Sequence, residues 1–82
     1  MKNIIFKETT NFTRAISKLM SDSEYSRSQN ALLQMPDLGT IIVGSGGIRK
    51  FRWAARSHGK SGGARVIYYW AVSAETILML DV

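Results

Sequence analysis

Ile48-Arg49-Lys50-Phe51-Arg52-Trp53-Ala54 and, after a polar glycine-containing stretch, Ala64-Arg65-Val66-Ile67-Tyr68-Tyr69-Trp70 are the two segments on which the fold turns. Side chains along a strand point alternately to its two faces. That rule places Arg49, Phe51 and Trp53 on one side of the first segment and Lys50, Arg52 and Ala54 on the other. In the second, Arg65, Ile67 and Tyr69 oppose Val66, Tyr68 and Trp70. Val66, Tyr68, Trp70 and Trp53 read as core, whereas Tyr69 shares the Arg65 face and is free to stack on a base. Basic groups therefore leave the first strand on both faces.

Working outward, Gly44-Ser45-Gly46-Gly47 precedes the first strand and demands an unusual backbone; no P-loop Lys-Ser/Thr follows, so a turn is the simpler reading. Ahead of it, Asp37-Leu38-Gly39-Thr40 reads as a loop leading to Ile41-Ile42-Val43. Two helices come earlier. Thr9, Thr10 and Asn11 offer capping oxygens to a helix with Phe12, Ala15 or Ile16, Leu19 and Met20 at helical spacing. Ser21-Asp22-Ser23-Glu24 fits a capping box, which explains its carboxylates structurally; the helix it starts carries a weak apolar face of Tyr25, Ser28, Leu32 and Met35 and stops before Pro36. Ile4-Ile5-Phe6 forms a first strand, Ser73-Ala74-Glu75 turns the chain, and Thr76 to Val82 completes an antiparallel meander. The expected fold is one α+β domain over residues 1–82, with two N-terminal helices covering one face of an antiparallel sheet of about four strands and the opposite face partly open.

With 82 residues there is room for one domain, and its core is thin, since a chain of this size buries only about 60% of its unfolded surface. There is no cysteine and one histidine, which removes disulfides, thiolate metal sites and histidine clusters; neither metal nor cofactor is expected. Met1 to Phe6 is too short for a signal-peptide core and no run reaches membrane-spanning length, so the expected location is cytoplasmic.

The net charge of +5 is unevenly placed. Residues 1 to 37 carry five basic and four acidic side chains, while 38 to 74 carry six basic and none acidic. A block of one sign attracts a polyanion by counterion release, so nucleic acid is the expected partner. If the two strands pair so that facing residue numbers sum to an odd value near 117, Arg52 sits opposite Arg65 with Lys50 on the same face. An even register dissolves the cluster. Like charges directly opposed destabilise a sheet, and a bound phosphate relieves that cost. Metal-free RNA cleavage needs such cations for the charge that develops when a 2′-hydroxyl turns on its own phosphate. His58 titrates in the right range for proton transfer but has no carboxylate near it in the chain to orient it.

Gly44-Ser45-Gly46-Gly47-Ile48-Arg49-Lys50-Phe51-Arg52-Trp53, the loop Gly59-Lys60-Ser61-Gly62-Gly63 and the strand Ala64-Arg65-Val66-Ile67-Tyr68-Tyr69 together resemble the HigB branch of the RelE/ParE toxins. Weaker similarity at Ser21 to Tyr25 and Pro36 to Gly39 extends the resemblance over nearly the whole chain. It implies the toxin of a type II toxin-antitoxin pair, an endoribonuclease (mRNA interferase) that cleaves translated messenger RNA on the ribosome and inhibits protein synthesis. The partners implied are a HigA-like antitoxin, the ribosome and mRNA, with no membrane and no small-molecule substrate. Carried over position by position, Lys50 and Arg52 match basic strand positions at the scissile region and Arg65 the arginine that stabilises the phosphate in the transition state, and Arg49, Arg56 and Lys60 look like further RNA contacts; Tyr69 joins them as an RNA contact from the strand alternation alone. Family members continue past the last strand into a segment holding another basic or aromatic catalytic residue, whose equivalent is expected to be missing after Leu80-Asp81-Val82. The alternative is accordingly a ParE-like gyrase inhibitor or a truncated toxin that binds its antitoxin without cleaving. A third reading is a plain RNA-binding module.

Overall fold

The computed structural model describes residues 3–55 and 60–82, with the backbone alone for 54–55 and 60–62. The elements are β1 (Ile5–Glu8), α1 (Thr10–Leu19), α2 (Asp22–Gln34), β2 (Thr40–Ile41), β3 (Ile48–Ala55), β4 (Lys60–Ala71) and β5 (Thr76–Asp81). The protein is thus an α+β fold, with two helices and one sheet among the described residues. Among the described residues, no helix is long and apolar enough to cross a membrane.

Both helices begin where the sequence places capping groups. The Thr9 hydroxyl accepts the Phe12 N–H at 3.1 Å and donates to the Leu80 carbonyl at 2.8 Å, so one side chain caps α1 and ties it to the end of β5. At the head of α2 the capping box is complete. Ser21 Oγ accepts the Glu24 N–H at 3.1 Å, and the Glu24 carboxylate accepts the Ser21 N–H at 2.8 Å. The helix ends at Met35, ahead of buried Pro36. Met35 itself is 53% exposed rather than on the packed face, because the backbone leaves helical geometry at that residue and its side chain no longer follows Ser28 and Leu32.

The sheet runs in the order β1-β5-β4-β3-β2. This corrects the expectation of about four antiparallel strands in two respects. Among the described residues there are five strands, since Thr40–Ile41 adds a short edge strand beside β3, and the sheet is mixed, since β1 lies parallel to β5. The direction of β1 follows from its connection: only Thr9 separates it from α1, and the Thr9 N–H bonds the Met79 carbonyl at 3.0 Å, so β1 must end beside the far end of β5 for the helix to turn back over the sheet.

One face of the sheet receives both helices. Phe12 and Ile16 from α1, Leu32 from α2, and Ala64, Val66, Tyr68, Ile77 and Met79 from β4 and β5 form the buried core, with Met20 closing the helix junction and Phe51, Trp53 and Trp70 packed around it. The β3 and β4 residues in that set lie on the parity predicted for the covered face. The β2–β3 connection uses positive φ at Gly44, Gly46 and Gly47, conformations that an L side chain resists. Ser45 stitches it closed, its hydroxyl donating to the Ile42 carbonyl at 2.6 Å and accepting the Ile48 N–H at 3.0 Å. The glycine cluster is therefore a hairpin turn.

Candidate anion-binding site

One register sets the faces of Arg49, Lys50 and Arg52 on β3 and of Arg65 on β4. Lys50 pairs with Ile67, Phe51 with Val66, Arg52 with Arg65 and Trp53 with Ala64. Because Val66 is buried beneath the helices, the alternation sends Lys50, Arg52, Arg65, Ile67 and Tyr69 to the opposite face, which no helix covers. The odd register that the sequence reading required is the one adopted. Arg52 and Arg65 are partners across the ladder, and Lys50 lies two residues along β3 on the same side.

A third strand contributes to the site. Thr40 of β2 pairs with Lys50, and a depression of about 310 Å³ on this face is lined by Thr40, Lys50, Phe51, Arg52 and Arg65. Lys50, Arg52 and Arg65 are exposed. Such a surface presents ammonium and guanidinium donors, with a neutral hydroxyl at one wall, to an anion arriving from solvent. Two arginines offer planar donor forks that match phosphate oxygens.

Arg49 stands elsewhere. It pairs with Tyr68 on the helix-side face, and its guanidinium donates to the Gly39 carbonyl at 2.7 Å and more distantly to that of Asp37 at 3.4 Å. The Tyr68 hydroxyl completes the arrangement by accepting the Gly39 N–H at 2.9 Å and donating to the Pro36 carbonyl at 2.8 Å. Both backbone polar groups of Gly39 are thus held by side chains from the β3–β4 ladder. Burial pushes the Tyr68 phenol above its ordinary pKa, an effect partly offset by the Gly39 N–H and the nearby Arg49 charge. Gly39 also sits where a side chain has no room: a Cβ would come within 2.9 Å of both the Lys50 carbonyl oxygen and Tyr68 Cε1.

Tyr69 lies on the open face, half-buried, between Ile48 on β3 and Leu78 on β5, with its ring against Gly47. Arg56 and His58 lie outside the described residues, and of Lys60 only the backbone is described, at the start of β4 opposite Ala55. Among the described residues no three His, Cys, Asp or Glu side chains gather as a metal site would require.

Sequence reasoning missed Thr40, because a lone threonine in a loop carries no signal until the edge strand brings it beside Lys50. It also missed the work of the Tyr68 hydroxyl. The need of a buried tyrosine for a polar partner was a usable hint, but nothing local names Pro36 and Gly39, some thirty residues away. No protein-family model matches the chain.

Proposed function

We propose that the protein is a HigB-like toxin of a type II toxin-antitoxin system that cleaves messenger RNA on the ribosome, with the β3–β4 face as its phosphate site. The observation that carries this reading is the pairing of Arg52 with Arg65, flanked by Lys50, on the uncovered sheet face. A sheet gains nothing from opposed like charges, whereas a phosphodiester passing between them gains charge-assisted hydrogen bonds from both sides.

In the proposed reaction the ribose 2′-oxygen attacks the adjacent phosphorus and the bond from phosphorus to the 5′-oxygen breaks. The 2′-hydroxyl loses a proton and the leaving oxygen gains one. Arg65 stabilises the charge that accumulates on the nonbridging oxygens of the pentacovalent phosphate, while Lys50 and Arg52 hold the backbone in line. Tyr69, some four residues along the same face from Arg65, suits stacking of a neighbouring base. Arg56 and Lys60 are proposed as outer RNA contacts, and a HigA-like antitoxin as the partner that silences the toxin.

The reading is tested by mapping messenger RNA ends in a translating extract with and without the protein. Cuts recurring with codon periodicity, abolished by Arg65→Ala while that variant keeps its fold, are the expected result. RNA binding without cut products would leave a binding module, and inhibition of gyrase without RNA cleavage would replace this reading with the ParE-like one.

A further inference from the structure

We infer that Thr40 is a direct oxyanion contact of the β3–β4 site, and that Arg49 is its positioning residue rather than an anion contact. The inference rests on reading this depression as a phosphate site and adds to it a strand, a neutral donor and a mechanism of placement.

Three observations carry it. Thr40 lines the same depression as Lys50, Arg52 and Arg65, and it is exposed there, directly across the β2–β3 ladder from Lys50. A hydroxyl at that wall gives a phosphate oxygen a donor at the end of the cation row, and gives a ribose hydroxyl an acceptor; arginine and lysine cannot supply the second. Next, β2 is only two residues long and lies at the sheet edge, so its own ladder is too short to place a side chain firmly. The Ile42 N–H to Ile48 carbonyl bond at 2.8 Å fastens its far end, and at the Thr40 end the hold comes from the residue before Thr40. Gly39 is gripped through its N–H by Tyr68 and through its carbonyl by Arg49, and it is buried so close to Lys50 and Tyr68 that a Cβ there would come within 2.9 Å of both. Finally, Arg49 and Lys50 are consecutive, so the strand alternation that sends Lys50 to the anion sends Arg49 to the reverse side, where its charge is used on backbone carbonyls. One dipeptide therefore provides a ligand on one face and the fastener for a second ligand on the other.

The test uses the full chain and two probes: inorganic phosphate followed by amide chemical shifts, and a short single-stranded oligoribonucleotide followed by affinity at several salt concentrations. Phosphate is expected to shift the amides of Thr40, Lys50, Arg52 and Arg65 together. Thr40→Val, which keeps the shape and removes the hydroxyl, is expected to weaken both probes by roughly three- to tenfold with the salt slope unchanged, and Thr40→Ser to restore most of the affinity. Arg49→Met is expected to lose a similar factor, again at constant salt slope, and the double variant to lose no more than either single one.

Thr40→Val binding phosphate as well as the parent overturns the Thr40 assignment. Additive losses, or a salt slope reduced by about 0.7 on removing Arg49, overturn its positioning role and make it a phosphate contact. Should the amides respond to phosphate while the oligoribonucleotide fails to bind, the RNA reading falls and the oxyanion site stands. If neither probe binds, both fall.

Discussion

Arg52 and Arg65 face each other across the β3–β4 ladder, on the side of the sheet that neither helix covers. Like charges directly opposed across a ladder destabilise a sheet. Replacing one of them with a neutral side chain of similar length removes that cost. Arg65→Gln is therefore expected to raise the melting temperature in low-salt buffer free of multivalent anions. Adding phosphate should stabilise the parent protein more than the variant and narrow the gap. A variant less stable than the parent in low salt would show that the pair is already compensated within the protein.

The Tyr68 hydroxyl is the hinge between the core and the site. It is fully buried and makes two hydrogen bonds, to Pro36 and from Gly39. Tyr68→Phe strands the Gly39 N–H and the Pro36 carbonyl away from water, at a cost of about 1–3 kcal/mol. Chemical denaturation should show this loss without a change in the denaturant slope. A loss below a few tenths of a kcal/mol would mean that water replaces the hydroxyl.

Gly39→Ala meets a steric barrier rather than a conformational one. Its Cβ would press on a backbone oxygen and an aromatic carbon at 2.9 Å and on Arg49 Cβ at 3.1 Å. Because the first of these is backbone, the contact cannot be relieved by a rotamer change, and a destabilisation of about 1–3 kcal/mol is expected. The same substitution should displace Thr40, visible as a shift in its amide resonance.

Two tyrosines tie stability to alkaline pH. Burial and the hydrogen bond to Glu8 raise the pKa of Tyr25, and burial raises that of Tyr68. Each keeps its proton in the native state at pH values where the unfolded chain, with phenols near their usual pKa of about 10, releases it. The unfolded state then binds fewer protons, so stability is full below about pH 10 and declines as pH rises above it. Denaturation curves between pH 8 and 11 should show this fall, with a smaller slope in Tyr68→Phe. Equal slopes in the two proteins would remove Tyr68 from the linkage.

The capping box has a simpler consequence. Ser21→Ala deletes the acceptor of the Glu24 N–H and should cost about 1 kcal/mol, seen as a drop of roughly 4–8 °C in Tm. Under the proposed function, codon-periodic cleavage by the folded fraction should be unchanged, since α2 lies on the face away from the cations.

Much of this was legible in the chain itself. Helix starts at Thr9 and Ser21, the stop before Pro36, the turn at Gly44 to Gly47 and the two-faced alternation of β3 and β4 are local matters, decided by the dihedral preferences and hydrogen-bonding reach of neighbouring residues. The basic, carboxylate-free run that marks the site was equally a property of the sequence. What the sequence alone could not determine was the register in which β3 pairs with β4. A period of two is the same pattern in either alignment, and a slip of one residue would have carried Arg65 to the other face. The register was decided by tertiary packing: Val66 and Tyr68 had to lie under the helices, with the Tyr68 hydroxyl reaching Pro36 and Gly39. Those same long-range bonds placed Thr40 beside Lys50, and the one-residue link at Thr9 set β1 parallel to β5. Each joins residues far apart in the chain, so its geometry exists only once the core has formed.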